Sequence, residues 1–527
     1  MSFASPHADV VLPGSGLHAF LFAGLGPADL DRFALVSAES GEALTYGLLR
    51  EGVDGFAAEL AARGIAPGDT VALLCPNVPA FAVAFHGILR AGATVTTVNV
   101  LSTASEIAKQ LTASGARTLV TVTDLSATAG KAVDAAGLDA GAVLLLDVER
   151  PPASVPAPAL DRFDPAERVA VLPYSSGTTG VPKGVMLTHR NLVANIAQLT
   201  PVLDLRSDDV VLAVLPFFHI YGMSVLLNST LAVRGRVVTM ARFDLAAFLE
   251  AVQRHRVTYL FIAPPIAVAL AKHPLVDSYD LTSVRAIVSG AAPLDEELGA
   301  AVAHRLSVPV VQGFGMTELS PVSHLVPVAD AGVGIAGRRA PVAAIGWPLP
   351  NTVNKLVDPA TGAEIGIPDV GLSEPGELWV RGPNVMAGYL GNPQATAETL
   401  DDDGFLHTGD LARVDSTGCV YIVDRIKELI KYKGYQVAPA ELEALLLTHP
   451  DIADAAVIGV TDAEGEEIPK AFVVTGDPAL SAESVMEFVA ARVAPYKKVR
   501  AVEFVAAIPK SSAGKILRKE LRSSRPL

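Results

Sequence analysis

Cysteine is nearly missing. The 527-residue chain has two, Cys75 and Cys419, too few for a disulfide framework. That fits a reducing, cytoplasmic compartment. A basic excess is missing too. Lys and Arg number 41 against 56 Asp and Glu, a net charge of −15, which disfavours nucleic acid as a partner. The N-terminus, MSFASPHADVVLPGSG, has no basic start and no long apolar core, so no signal peptide is expected. The chain ends in Arg-Pro-Leu, which does not match a Ser-Lys-Leu address. From Val210 to Val233 there is no Asp, Glu, Lys or Arg, a run long enough to span a membrane. Pro216, His219, Gly222 and Asn228 interrupt it. We read it as a buried strand ending near Pro216, a loop and a buried helix, with no membrane span.

Several motifs are absent as well. HExxH, paired CxxC and GxSxG do not occur, so metalloprotease, zinc-finger and serine-hydrolase readings lack support. Gly332 to Gly337 matches GxGxxG. No clear strand precedes it, and Arg-Arg-Ala-Pro follows where a helix should start, so it is dismissed as a dinucleotide site.

What remains is long and apolar. Half the residues are hydrophobic and 18% are charged, a globular composition with room for two or three domains. Leu49, Val53, Phe56 and Leu60 have helical spacing, and Gly64 stops that helix. TVALLC (70–75), ATVTTV and TLVTVT read as strands between helices, and Thr103 with Glu106 reads as a capping box. The pattern is βαβ, hence an α/β fold of mixed, mostly parallel sheets flanked by helices. A Pro-rich linker is expected at 151–158. From about 340 to 425, short strands with frequent Gly and Pro suggest a β-rich subdomain. Beyond Asp424, helix and strand signals make a compact α+β unit. Charge divides at the same place. From Arg425 onward 15 Lys and Arg face 14 Asp and Glu, against 26 and 42 before it.

The chemistry gathers in loops. YSSGTTGVPKGV follows an apolar run. Ser175, Ser176, Thr178 and Thr179 supply hydroxyls, Lys183 a point charge, and Gly177 and its neighbours a backbone that can approach closely. Together these suit a polyphosphate, although Pro182 and Gly184 break the Walker A pattern. A solvated turn is the bland alternative. In VVQGFGMTELSP, Gly313 and Gly315 can lie flat against a planar base, Thr317 can donate to a phosphate, and Glu318 offers a hard oxygen for Mg²⁺. The alternative is an ordinary strand-to-loop turn. In HTGD and VDRIK, Asp410 can accept from both hydroxyls of a ribose, with Arg425 sharing the task, or the two form a surface pair. Lys427, Lys431 and Lys433 crowd around Gly434, which is a solvated face unless anions visit. Lys515 follows Gly514 on a C-terminal loop that can deliver it to a reacting carboxylate, or simply leave it exposed. His219 sits among aromatics in LPFFHIYGMS, a setting that also suits a core histidine.

YSSGTTGVPKGV, GFGMTE, GELWVRG, HTGD, VDRIKELIKYKGYQVAPAELE and PKSSAGKILRKEL occur in the order and spacing of the adenylate-forming (acyl-CoA synthetase) superfamily. Within it the chain resembles 4-coumarate–CoA ligases and bacterial cinnamate–CoA ligases, over essentially its whole length. The resemblance implies a large N-terminal domain, 1–424, and a small mobile C-terminal lid, 425–527, hinged near Lys427. It implies two half-reactions. A carboxylate attacks the α-phosphorus of ATP, giving acyl-AMP and pyrophosphate, and the thiol of CoA then displaces AMP. Ser175, Ser176, Gly177, Thr178, Thr179 and Lys183 would hold the phosphates. Gln312, Gly313 and Thr317 would bind the nucleotide, Glu318 would position Mg²⁺, and Asp410 and Arg425 would hold the ribose. Lys515 would act in the first half only. Lys433 and Gly434 would face CoA in the second, with Lys431 on the acyl-adenylate. Arg242, followed by Phe243, stands where plant members carry Lys-Phe at the CoA site.

The resemblance makes His219 a gate between acyl pocket and CoA tunnel. The pocket would include Tyr221, Val225, Ala291, Pro321, Val322 and Leu325, which suit a planar aromatic acid or a medium-chain fatty acid. Val225 and Val288 replace polar residues of plant enzymes, so unsubstituted cinnamate is expected to fit as well as 4-coumarate. The partners implied are a small carboxylic acid, ATP and CoA, on a monomer or a dimer. A luciferase-like oxygenase or an amino-acid adenylation module would share these motifs. An inactive nucleotide-binding regulator would not need Lys183, Glu318, Asp410, Arg425 and Lys515 together.

Overall fold

The computed structural model describes residues 2–147, 156–158, 163–175, 182–328, 340–433, 435–462, 466–511 and 514–523. Most of the expected Pro-rich linker, and the dismissed GxGxxG stretch, lie outside them.

Local signals are borne out where they are periodic. Helix Tyr46–Ala62 buries Leu49, Val53, Phe56 and Leu60, and Gly64 follows it with φ 82°. Each such side chain removed from water contributes roughly 1.5–3 kcal/mol before entropy is counted. Thr103 Oγ1 accepts from Glu106 N–H at 3.3 Å, and Glu106 Oε2 accepts from Thr103 N–H at 2.8 Å. That box starts helix Ala104–Ser114.

Two large mixed sheets result. In one, the strands Val169–Val171, Thr94–Thr97, Thr70–Leu74, Thr118–Thr121 and Val143–Leu145 run parallel in that spatial order. Lys183–Thr188 joins its edge antiparallel. In the other, Val310–Gly315, Ala286–Ser289, Tyr259–Ile262, Val210–Ala213, Arg236–Thr239 and Phe33–Ser37 run parallel, with antiparallel strands at both ends. The expected β-rich part is an antiparallel sheet of Val353–Val357, Gly376–Arg381, Leu406–Val414 and Val420–Arg425. Phe3–Ala4 pairs with Val353–Val357 at its far edge.

The uncharged run divides as read, with one difference. Strand Val210–Ala213 is followed by Tyr221–Ser229, which is wound as a π-helix and not an α-helix. Gly222 lets the chain pass close to the preceding turn at the start of that helix, because a Cβ there would lie 2.1 Å from Pro216 O. No helix among the described residues is long and apolar enough to cross a membrane.

Residues beyond Arg425 have sheets and a core of their own. A hairpin of Ile430–Tyr432 and Tyr435–Val437 precedes the sheet Ile452–Thr461, Glu467–Thr475 and Ala501–Phe504. Ile430, Leu442, Leu446, Val457, Val473 and Val485 fill the centre.

Candidate active site

The hydroxyl-rich loop hangs on a hairpin. Tyr174–Ser175 pairs with the start of Lys183–Thr188, so Ser175 stands opposite Lys183. Ser176, Gly177, Thr178 and Thr179 lie outside the described residues. Ser175 Oγ is buried without a hydrogen-bond partner, an arrangement that calls for a ligand or water. The Lys183 ammonium lies 4.7 Å from the centre of the Tyr389 ring. Tyr389 OH donates to Glu318 Oε1 at 2.9 Å, and Met386 N–H donates to Glu318 O at 2.9 Å. Glu318 is buried and Thr317 beside it half-buried. Lys183 and Glu318, distant in sequence, therefore converge through Tyr389, with Thr317 the chain neighbour of Glu318. Sequence reading missed Tyr389. Its signal is faint, a Gly-Tyr pair in a strand of two residues.

Close packing also keeps the glycines of GFG bare. A Cβ at Gly315 would lie 2.1 Å from Pro321 O, and one at Gly313 would lie 3.0 Å from Leu325 Cδ1. At both positions the chain folds back too closely for a side chain. Gln312 is likewise occupied. Its Oε1 accepts from Leu294 N–H at 2.8 Å, and its Nε2 donates to Leu294 O at 3.0 Å and to Val342 O at 2.5 Å. Its side chain thus pins the 289–294 loop, in which Ala291 holds φ 70°, a conformation that costs about 1–2 kcal/mol for a non-glycine residue.

Asp410 and Arg425 face each other across neighbouring strands. Arg425 Nε lies 3.1 Å from Asp410 Oδ1. Asp410 Oδ2 is buried and unpartnered. Burial pushes the carboxyl up to about 6, against the pull of Arg425 and Lys515. Lys515 enters from the C-terminal unit. The loop seats beside Ala263 and Pro265, where a Cβ on Gly514 would be 3.2 Å from Ala263 Cβ. Crowding in the cleft draws the Lys515 ammonium down to about 8. Desolvation leads, Arg425 adds to it, and Asp410 opposes. The residue stays exposed on one side, so water offsets part of that effect.

On the acyl side, the Tyr221 ring covers Gly290, where a Cβ would lie 2.9 Å from its Cε1. Its hydroxyl reaches Val288 O at 3.4 Å. Val225, Val322 and Leu325 are buried, Pro321 is buried, and Ala291 is exposed at the loop. His219 is half-buried, and burial pulls its imidazole down to about 4, so it is neutral near pH 7. Asn77, missed in the sequence, fixes this loop. It accepts from Phe217 N–H at 2.7 Å and donates to Ala213 O and Leu215 O at 2.9 Å each.

The remaining cations are at the surface. Arg242 is exposed after strand Arg236–Thr239, as are Lys427 and Lys431. Lys433 is exposed at the hairpin tip with φ 48°, its ammonium 5.5 Å from the Tyr432 ring. Gly434 lies outside the described residues. Among the described residues no group of three or more His, Cys, Asp or Glu side chains could hold a metal. Glu318 alone fits Mg²⁺ in the way that ion prefers, one carboxylate supplemented by phosphates and water.

Comparison with known proteins decides the family. The AMP-binding enzyme profile matches residues 27–390, and the AMP-binding enzyme C-terminal domain matches residues 441–515. The chain belongs to the AMP-binding enzyme family. This AMP-binding enzyme is 44% identical to 4-coumarate–CoA ligase 5 of Oryza sativa subsp. japonica, over 99% of the chain and 97% of that relative. Its fold is similar to that of ATP-bound MatB from Rhodopseudomonas palustris, with a TM-score of 0.85 and 29% identity over 97% of this chain and 99% of that one. The anthranilate CoA ligase AuaEII, solved with anthranoyl-AMP, aligns with a TM-score of 0.86 at 25% identity, over 98% of each chain.

Proposed function

We propose that the protein is an ATP-dependent, AMP-forming acid–CoA ligase acting on 4-coumarate- and cinnamate-type acids. The observation that carries it is Asp410. One oxygen is held by Arg425 and the other is buried and free, beside a loop that delivers Lys515. That is a ribose acceptor next to a cation for the reacting phosphate.

The mechanism follows from the donors. A carboxylate is a poor acylating agent, and adenylation gives it a good leaving group. The acid's oxygen attacks the α-phosphorus and pyrophosphate departs. This half needs alignment and charge stabilisation more than a base. Ser175, Ser176, Gly177, Thr178, Thr179 and Lys183 hold the phosphates. Glu318, oriented by Tyr389, would hold Mg²⁺, which would offset the negative charge of the phosphates. Thr317 and Gly313 flank the nucleotide, and Gln312 fixes the loop against it. Lys515 neutralises charge between carboxylate and α-phosphate. In the second half the C-terminal unit, 425–527, turns about Lys427. Lys515 then leaves, Lys431, Lys433 and Gly434 replace it, and Arg242 meets CoA. The thiol attacks the acyl carbon, passing His219, and AMP leaves. Tyr221, Val225, Ala291, Pro321, Val322 and Leu325 enclose the acid.

A screen with ATP, Mg²⁺ and CoA against cinnamate, 4-coumarate, benzoate, phenylacetate, hexanoate and octanoate tests this. AMP and thioester in equal amounts, highest with cinnamates, are expected. Preference for fatty acids would overturn the substrate class. Pyrophosphate release without thioester would overturn CoA as acceptor.

A further inference from the structure

Lys515 sits on a short hairpin, and what fixes that hairpin is a buried ion pair. Ser511 N–H donates to Lys515 O at 2.8 Å, and Lys510 bridges Ile516. Just beyond, Arg518 Nη2 donates to both oxygens of Glu443 at 2.7 Å, and Arg518 Nε reaches Val457 O at 3.3 Å. Glu443 Oε1 also accepts from Val457 N–H at 2.8 Å. The pair is largely out of water, with 13% and 11% of the two side chains exposed. On the other stem, Lys510 Nζ lies 2.6 Å from Asp454 Oδ2. Glu443 lies on helix Pro439–Leu447 and Asp454 on strand Ile452–Thr461. Both belong to the body of the C-terminal unit. The Lys515 loop is thus tied down on each side.

Such a pair is a poor stabiliser, because desolvation offsets most of its attraction. Burial pushes the Glu443 carboxyl up to about 7 even with Arg518 against it. What the pair offers is direction, because Nη2 is held by both Glu443 oxygens while Nε is held by Val457 O, which together fix the guanidinium plane. We propose that Arg518, held by Glu443, is a positioning residue for adenylation that sets the reach of Lys515, with Lys510–Asp454 as the second tether. This rests on the two-half reaction above.

The test separates the halves in the full chain. Arg518→Met combined with Glu443→Gln removes both charges and keeps an acceptor for Val457 N–H. Acid-dependent ATP–pyrophosphate exchange reads the first half, and thioester from supplied cinnamoyl-AMP and CoA reads the second. The double variant is expected to lose about tenfold or more in exchange, since a misplacement near 1 Å can cost ~10²-fold. Thioester formation should stay near wild type, because it draws on other residues of the same unit. The basic limb of the exchange pH profile should move upward as Lys515 returns to water. Lys510→Met, at a more exposed pair, should give a smaller loss with the same split, and Arg518→Lys should recover part of it. Equal loss of both halves would make the pair merely structural and overturn the inference, as would unchanged exchange. Wild type without exchange or thioester would instead overturn the ligase reading itself.

Discussion

Two titrating groups bracket the reaction. Asp410 works as a carboxylate and is lost as pH falls through about 6, its raised value. Lys515 works as an ammonium and is lost as pH rises through about 8, its lowered value. The exchange reaction is therefore expected to give a bell in kcat/KM, with limbs near those values in the free enzyme. A profile flat from pH 5 to 9, measured in a constant-ionic-strength buffer, would remove both groups from the rate. Lys515→Ala should lower exchange by ~10²–10³-fold, the scale of losing one preorganised charge-stabilising group. It should leave thioester formation from supplied acyl-AMP largely intact. Asp410 and Arg425, which lie on paired strands, were singled out through the HTGD and VDRIK stretches, and Lys515 through the Gly514 before it. Tyr389 was not, because only folding brings it between Lys183 and Glu318.

At the scale of elements, the loop after Val210–Ala213 depends on one buried side chain. Asn77 satisfies three backbone groups there. Asn77→Ala removes three hydrogen bonds and orphans Phe217 N–H and Leu215 O, while Ala213 O keeps Met240 N–H at 3.3 Å, for a loss of about 3 kcal/mol at roughly 1 kcal/mol per bond. Denaturant melts should show it. Because this loop leads to His219 and Tyr221, KM for the acid should rise while KM for ATP holds. A rise in the ATP value alone would contradict that placement. The elements themselves were read wherever periodicity or a cap announced them, as in Tyr46–Ala62 and the Thr103 box. The π-winding of Tyr221–Ser229 has no such signature, since apolar residues on every side erase the period. The close approach of Gly222 to Pro216 O at the start of that helix is a local contact that a periodicity reading does not register.

For the whole molecule, helix and strand signals beyond Asp424 announced a compact α+β unit, and the residues there form a sheet over a core of Ile430, Leu442, Val457 and Val473. The docking of Phe3–Ala4 onto Val353–Val357 could not be read, because two residues carry no pairing signal. The seat of Gly514 on Ala263 permits a direct test of lid movement. Ala263→Cys with Gly514→Cys places two Cβ atoms near disulfide reach, and Cys75 and Cys419 are both buried. The positive φ of Gly514 sets a strain of about 1–2 kcal/mol against the bond. The oxidised protein should carry out pyrophosphate exchange yet form no thioester, and reduction should restore thioester formation. Thioester synthesis by the fully oxidised protein would show that no rotation is needed.

The π-helix beside the acyl pocket also bears on how such a protein changes over generations. A π-turn differs from an α-turn by one added residue. Losing one codon between Tyr221 and Ser229 would let the segment relax to α geometry and rotate Tyr221 and Val225 relative to the buried residues that follow. A descendant could therefore acquire a reshaped acid pocket through a change of length, without exchanging any amino acid that lines it.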